Sequence, residues 1–76
     1  MVREIAPRIT ADPRIKGGKP VIEGTRIPVD FILGQLGGAM TIGQVTDEYD
    51  LRREDIYAAL RYAAHLVSAE ESNAID

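Results

Sequence analysis

The sequence predicts a mainly α domain in which three helices follow a short N-terminal β-element. Three observations carry this. From Val29 onward the apolar residues recur at helical spacing. Before that point, short β-prone pairs alternate with Gly and Pro turn signals between Ile15 and Val29. Finally, 76 residues make one domain. The chain divides into a basic β-like element over 1–28, a three-helix core over 29–67 and a fraying tail over 68–76.

The N-terminal element reads as follows. Residues 1–7 look like a loose arm anchored by Val2 and Ile5, and Arg8-Ile-Thr10 is a short β-like piece. Asp12-Pro13 is a turn starter, because an Asp carboxylate bonds backbone two residues on and Pro fixes φ. Gly17-Gly18 admits positive φ. Pro20 keeps Lys19 out of helix. Val21-Ile22 and Thr25-Arg26-Ile27 flank Glu23-Gly24, which reads as a tight hairpin.

The helices have clear punctuation. Pro28 suits a first helical turn and Asp30 its positive end, so helix one runs 29–37 on Val29, Ile32, Leu33 and Leu36. Gly37-Gly38 stops it, with glycine at the left-handed position. Thr41-Ile-Gly-Gln44 is a capping box that opens helix two, 41–49. Helix three, 52–67, carries Ile56, Ala59, Leu60, Ala63 and Val67 as its apolar stripe. Glu54 and Asp55 lie in its first turn.

Helices two and three, joined by a tight link, have the spacing of a helix-turn-helix. Arg53, Tyr57, Arg61 and His65 recur every four residues and form one stripe on helix three. DNA contact is expected through Arg52, Arg53, Tyr57 and Arg61, with Lys19 and Arg26 touching phosphate. The alternative is a structural helix pair with a solvated, mixed-charge face. The net charge of −3 hides an asymmetry: residues 1–28 hold six basic side chains against three acidic, and 29–76 hold three against nine. A dedicated nucleic-acid binder is usually basic overall, so any such function rests on a basic face.

Other chemistries find little support. Gly17-Gly-Lys19 lacks the spacing of a phosphate-binding loop. His65 has no triad partners around it. The acids Asp47, Glu48, Asp50, Glu54 and Asp55 read as helix-terminal charges rather than a metal site. Three Tyr and one Phe are too few for a single-strand stacking platform. No enzyme activity, cofactor or metal is expected. With no cysteine, no signal-like start and no apolar run of membrane length, a cytoplasmic, soluble protein is expected.

A domain this small buries only about 60% of its unfolded surface, and oligomerisation is a common remedy. Short strands also leave edges for a second copy to cover. A homodimer is therefore expected, with Val21, Ile27, Phe31 and Leu36 in the contact.

Four stretches together carry a resemblance: Ile9-Thr-Ala-Asp-Pro13, Gly17-Gly-Lys-Pro-Val-Ile22, Gly24-Thr-Arg-Ile-Pro-Val29 and Glu54-Asp-Ile-Tyr-Ala-Ala-Leu-Arg-Tyr-Ala-Ala64. The chain resembles the domain of unknown function 433 family over roughly residues 9–66. The resemblance implies an antitoxin-like protein with a β-element before a homeodomain-like core. It also implies dimers and pairing with a PIN-like ribonuclease toxin in a toxin–antitoxin system. One departure is Arg52, where the family commonly has Ser or Thr. That removes a cap worth about 1 kcal/mol, with Asp50 as the expected substitute.

Overall fold

The computed structural model describes residues 1–75. It consists of strands β1 (Arg3–Ala6), β2 (Ile9–Ala11) and β3 (Val21–Ile22), then helices α1 (Val29–Gly37), α2 (Ile42–Tyr49) and α3 (Arg53–Ile75). The strands form one antiparallel sheet in the order β1-β2-β3. This is a mainly α architecture with a small sheet at its N-terminal end.

The first strand overturns the expectation of a loose arm. Ala6 pairs with Ile9 across a two-residue turn, Pro7-Arg8, and Glu4 and Arg3 pair with Thr10 and Ala11. Pro followed by a residue of positive φ is type II turn chemistry, and Arg8 has φ 66°. An arginine there carries no turn signal, which is why the hairpin is hidden in the sequence.

The predicted hairpin after Val21 forms, joined by the Ile22 N–H to the Ile27 carbonyl (3.0 Å) and the Val29 N–H to the Pro20 carbonyl (2.9 Å), although its second arm is not a regular strand. The Thr25 N–H donates to the Ile22 carbonyl (3.0 Å), around Gly24 at φ 77°. Thr25 does not continue into a strand, because its hydroxyl donates to the Ile22 carbonyl (2.7 Å) and accepts from the Ile27 N–H (3.0 Å). The chain then returns beside β3 with a single bridge, Val21 to Pro28.

Asp12 behaves as its turn signal predicts. It is 3% exposed and accepts from the Arg14 N–H (2.9 Å), and Arg14 Nε and Nη2 close a fork on the same carboxylate (3.0 and 2.9 Å). The fork and the backbone bond hold this carboxyl well below the ordinary carboxylate range. The unfolded chain therefore binds a proton more readily, and the stabilisation is lost as pH falls below about 4. Denaturant titrations should show Asp12→Asn well below wild type at pH 7, with the gap closing toward pH 2. A gap independent of pH would contradict this role.

The helices begin and end close to expectation, with three differences. Thr41 and Gln44 form the predicted capping box at α2 (3.0 and 2.8 Å). At the end of α1 the left-handed residue is Ala39 (φ 79°), not a glycine, since Gly38 has φ −85°. The Ala39 N–H donates to the Leu36 carbonyl and the Met40 N–H to that of Gln35, a Schellman closure one residue beyond the glycine pair. Ala39→Gly should stabilise the fold by about 1 kcal/mol, read as an upward shift in thermal midpoint. The second difference is Asp50, which sits left-handed at the end of α2 (φ 55°) and does not cap α3. Third, α3 runs on to Ile75 where fraying was expected from Ser68. No Gly or Pro interrupts that stretch, and its Ala and Glu residues favour helix. Asp76 lies outside the described residues.

The core lies between sheet and helices. Ile9 and Ile22 project from the sheet onto Val29 and Ile32 of α1, Val45 of α2, Leu51 of the link, and Ile56, Ala58 and Ala59 of α3. Leu60 and Val67 of the predicted α3 stripe are instead exposed (38% and 51%). Thr10 and Val21 pair on the opposite face of the sheet and are also buried. Val21 is thus spent inside its own chain and has no surface for a second copy, which corrects that part of the predicted contact. Ile27 and Leu36 pack half-buried against the core, and only Phe31 is exposed (39%).

Candidate nucleic-acid interface

The α2–α3 pair is set by its link. Asp50, in the left-handed region, lets the Leu51 N–H reach the Thr46 carbonyl (3.0 Å) and turns Leu51 into the core. Arg52 follows at the cap position of α3. Its N–H donates to Asp55 Oδ2 (3.0 Å), so the acid three residues on supplies half of a capping box that lacks its Ser or Thr.

Asp55 also ties the sheet to this helix end. Arg8 Nη1 donates to Asp55 Oδ1 (3.1 Å) across 47 positions of sequence. The Asp55 side chain is 12% exposed and that of Arg8 42%. The left-handed turn at Arg8 thus delivers a guanidinium to the start of α3. Asp55→Ala should cost about 1–3 kcal/mol, since it removes a charged acceptor from two donors. Arg8→Ala should cost less, because Asp55 keeps the Arg52 N–H and half-exposed pairs are weak. Equal losses in urea denaturation would refute this ranking.

With Ile56, Ala58 and Ala59 turned inward, α3 presents Arg53, Tyr57 and Arg61 to solvent, with Tyr57 42% exposed. Arg52 is exposed beside Arg53, and His65 continues the stripe. Among the described residues, no carboxylate lies within 4 Å of the side-chain nitrogens of Arg52, Arg53 or Arg61. Three guanidinia are therefore exposed along α3, Arg52 at its cap and Arg53 and Arg61 on the Tyr57 side, and the start of the helix is held by the buried Asp55.

The other two predicted phosphate contacts lie elsewhere. Lys19 is engaged with Asp30 at the start of α1 (2.9 Å), and that ammonium holds the Asp30 carboxyl below its ordinary value. Arg26 and Lys16 line a cleft with Ile27, Pro28, Phe31 and Tyr49. Phe31 meets Tyr49 edge-on with ring centres 5.1 Å apart. Arg52, Arg53, Tyr57 and Arg61 thus lie along α3, Arg26 lies beside α1, and Lys19 lies between α1 and the Tyr62–Leu66 part of α3. Sequence reasoning missed Arg8, and it took Asp55 only as a helix-end charge. Their pairing depends on the topology and left no local signal. Among the described residues, no cluster of three or more His, Asp or Glu is placed to hold a metal ion, and no helix is long and apolar enough to cross a membrane.

Fold and site together define a small mainly α domain with a three-stranded antiparallel sheet and an arginine-bearing α3 face. The chain belongs to the family described as protein of unknown function (DUF433), whose pattern matches residues 9–63. A comparison with curated proteins finds no match. Among solved structures, the chain is similar to the X-ray crystal structure of Rv2018 from Mycobacterium tuberculosis, with 33% identity and a TM-score of 0.62. That likeness covers 68% of this chain and 24% of the other, so this chain aligns with about a quarter of the length of that protein.

Proposed function

We propose that this protein is a cytoplasmic, antitoxin-like DNA-binding protein, acting as a dimer on its own operator and pairing with a PIN-like ribonuclease toxin. In this reading α2 and α3 are a helix-turn-helix within a homeodomain-like core, and α3 is the recognition helix. The observation that carries the DNA part is that Arg52, Arg53 and Arg61 are exposed along α3 and its cap and lack carboxylate partners among the described residues. Unpaired guanidinia on one helix suit phosphate oxygens and guanine edges. The toxin partner rests on the family resemblance. Mobility shift with the full chain on DNA upstream of its own gene tests the DNA part. Retardation at low salt that weakens with added salt is the expected result, and no retardation at low salt would end the reading.

A second reading is a protein-interaction module that never touches DNA. Its support is the excess of nine acids over three bases after residue 28, which would suit a basic partner surface. Co-expression and pull-down with the product of the neighbouring gene tests it. A neighbouring product that does not co-purify with the full chain would end it.

A further inference from the structure

We infer that the groove between β1 and α3 is a docking site for a short, extended, carboxylate-bearing segment of a partner protein. The inference goes beyond the DNA reading and stands without it, although Arg61 serves both.

Three observations converge on this groove. β1 is the edge of the sheet, bonded to β2 on one side, with no strand on the other among the described residues. Its free edge offers alternating backbone donors and acceptors. Next to it lies a groove of about 460 Å³ with a largely apolar floor: Ile5, Ala6 and Pro7 on one wall, Ala58 and Tyr62 on the other. Arg61 and His65, one helical turn apart, complete the lining on α3, and no acidic residue lines it. Among the described residues Arg61 has no carboxylate within 4 Å.

The chemistry selects the occupant. A peptide strand matches the donor–acceptor alternation of an edge, sends alternate side chains toward the floor, and places a carboxylate on the Arg61 fork. A nucleic-acid backbone carries only acceptors along its phosphates, so the β1 carbonyls would oppose it. The segment is short, because the register irregularity between Glu4 and Ala6 twists the strand and limits continuous pairing. The same irregularity, with charged Arg3 and Glu4, discourages open-ended edge association.

The test is an amide NMR titration of the full chain with a ten-residue peptide of alternating Val and Glu. Saturable shifts at Arg3–Ala6 and along α3 from Ala58 to His65 are expected, with Arg52 and Arg53 unmoved. Arg61→Ala, an exposed substitution that leaves the core intact, should weaken binding at least tenfold. A Val and Lys peptide should bind at least tenfold more weakly than the acidic one. Of two acidic peptides N-methylated at odd or at even positions, one should lose binding and the other keep it, because only one set of N–H groups faces the strand. Absence of shifts at millimolar peptide, shifts centred on the Lys16–Phe31 cleft or on Arg52–Tyr57, an unchanged affinity for Arg61→Ala, or equal binding of both N-methyl peptides would each overturn the inference.

Discussion

Ile56→Ala should bring this domain close to unfolding at 37 °C. Ile56 is fully buried and belongs to a cluster that joins the sheet to all three helices. Truncating such a residue removes transfer energy and leaves a cavity, at a cost of about 2–5 kcal/mol. A 76-residue domain has roughly 4–11 kcal/mol in total, at about 0.05–0.15 kcal/mol per residue. At this size each kcal/mol moves the thermal midpoint by about 4–8 °C, so a fall of at least about 8 °C is expected. Leu66→Ala is the control: Leu66 is 48% exposed and should cost about 0.5 kcal/mol or less. Similar midpoints for the two variants would mean that the core is not where the structure puts it.

That core was partly legible. Val29, Ile32, Val45, Ile56 and Ala59 follow from helical spacing alone, and all are buried. Leu60 and Val67 share the spacing yet stay exposed, because periodicity gives a stripe without saying how far the neighbouring elements extend along it. The sheet was harder. β1 carries Arg3 and Glu4, and its order comes from pairing with β2, so no local pattern announces it. Its turn depends on a left-handed arginine, which ranks low among turn residues. Thr41 and Asp12, by contrast, act through partners two or three residues away, so their roles could be read directly. The α3 stripe was legible for the same reason, since i, i+4 neighbours share a face. The Arg8–Asp55 pair that braces the stripe was not, because its members are 47 positions apart. The pairing of Lys19 with Asp30 and the place of Arg26 in the Phe31 cleft are likewise products of topology.

If α3 reads DNA as proposed, replacing Arg52, Arg53 and Arg61 together by Ala should weaken that binding by about 10²–10³-fold at 0.1 M salt. Each phosphate neutralised by a guanidinium releases about 0.9 counterion, which at 0.1 M salt is worth about tenfold in affinity. Three such contacts compound to the stated loss. The slope of log affinity against log salt should become shallower by about three units per bound chain. A loss of affinity with an unchanged slope would mean that the arginines do not meet phosphate. The variant should fold normally, because all three side chains are exposed and the cap of α3 uses the backbone N–H of residue 52, which alanine retains. Lys19→Ala and Arg26→Ala should each change the slope by far less, since Arg26 lies beside α1 and Lys19 is already engaged with Asp30. If those two variants matter as much as the α3 arginines, the DNA lies across the Phe31 cleft and α3 is not the recognition helix. The comparison therefore decides which face reads DNA as well as whether one does.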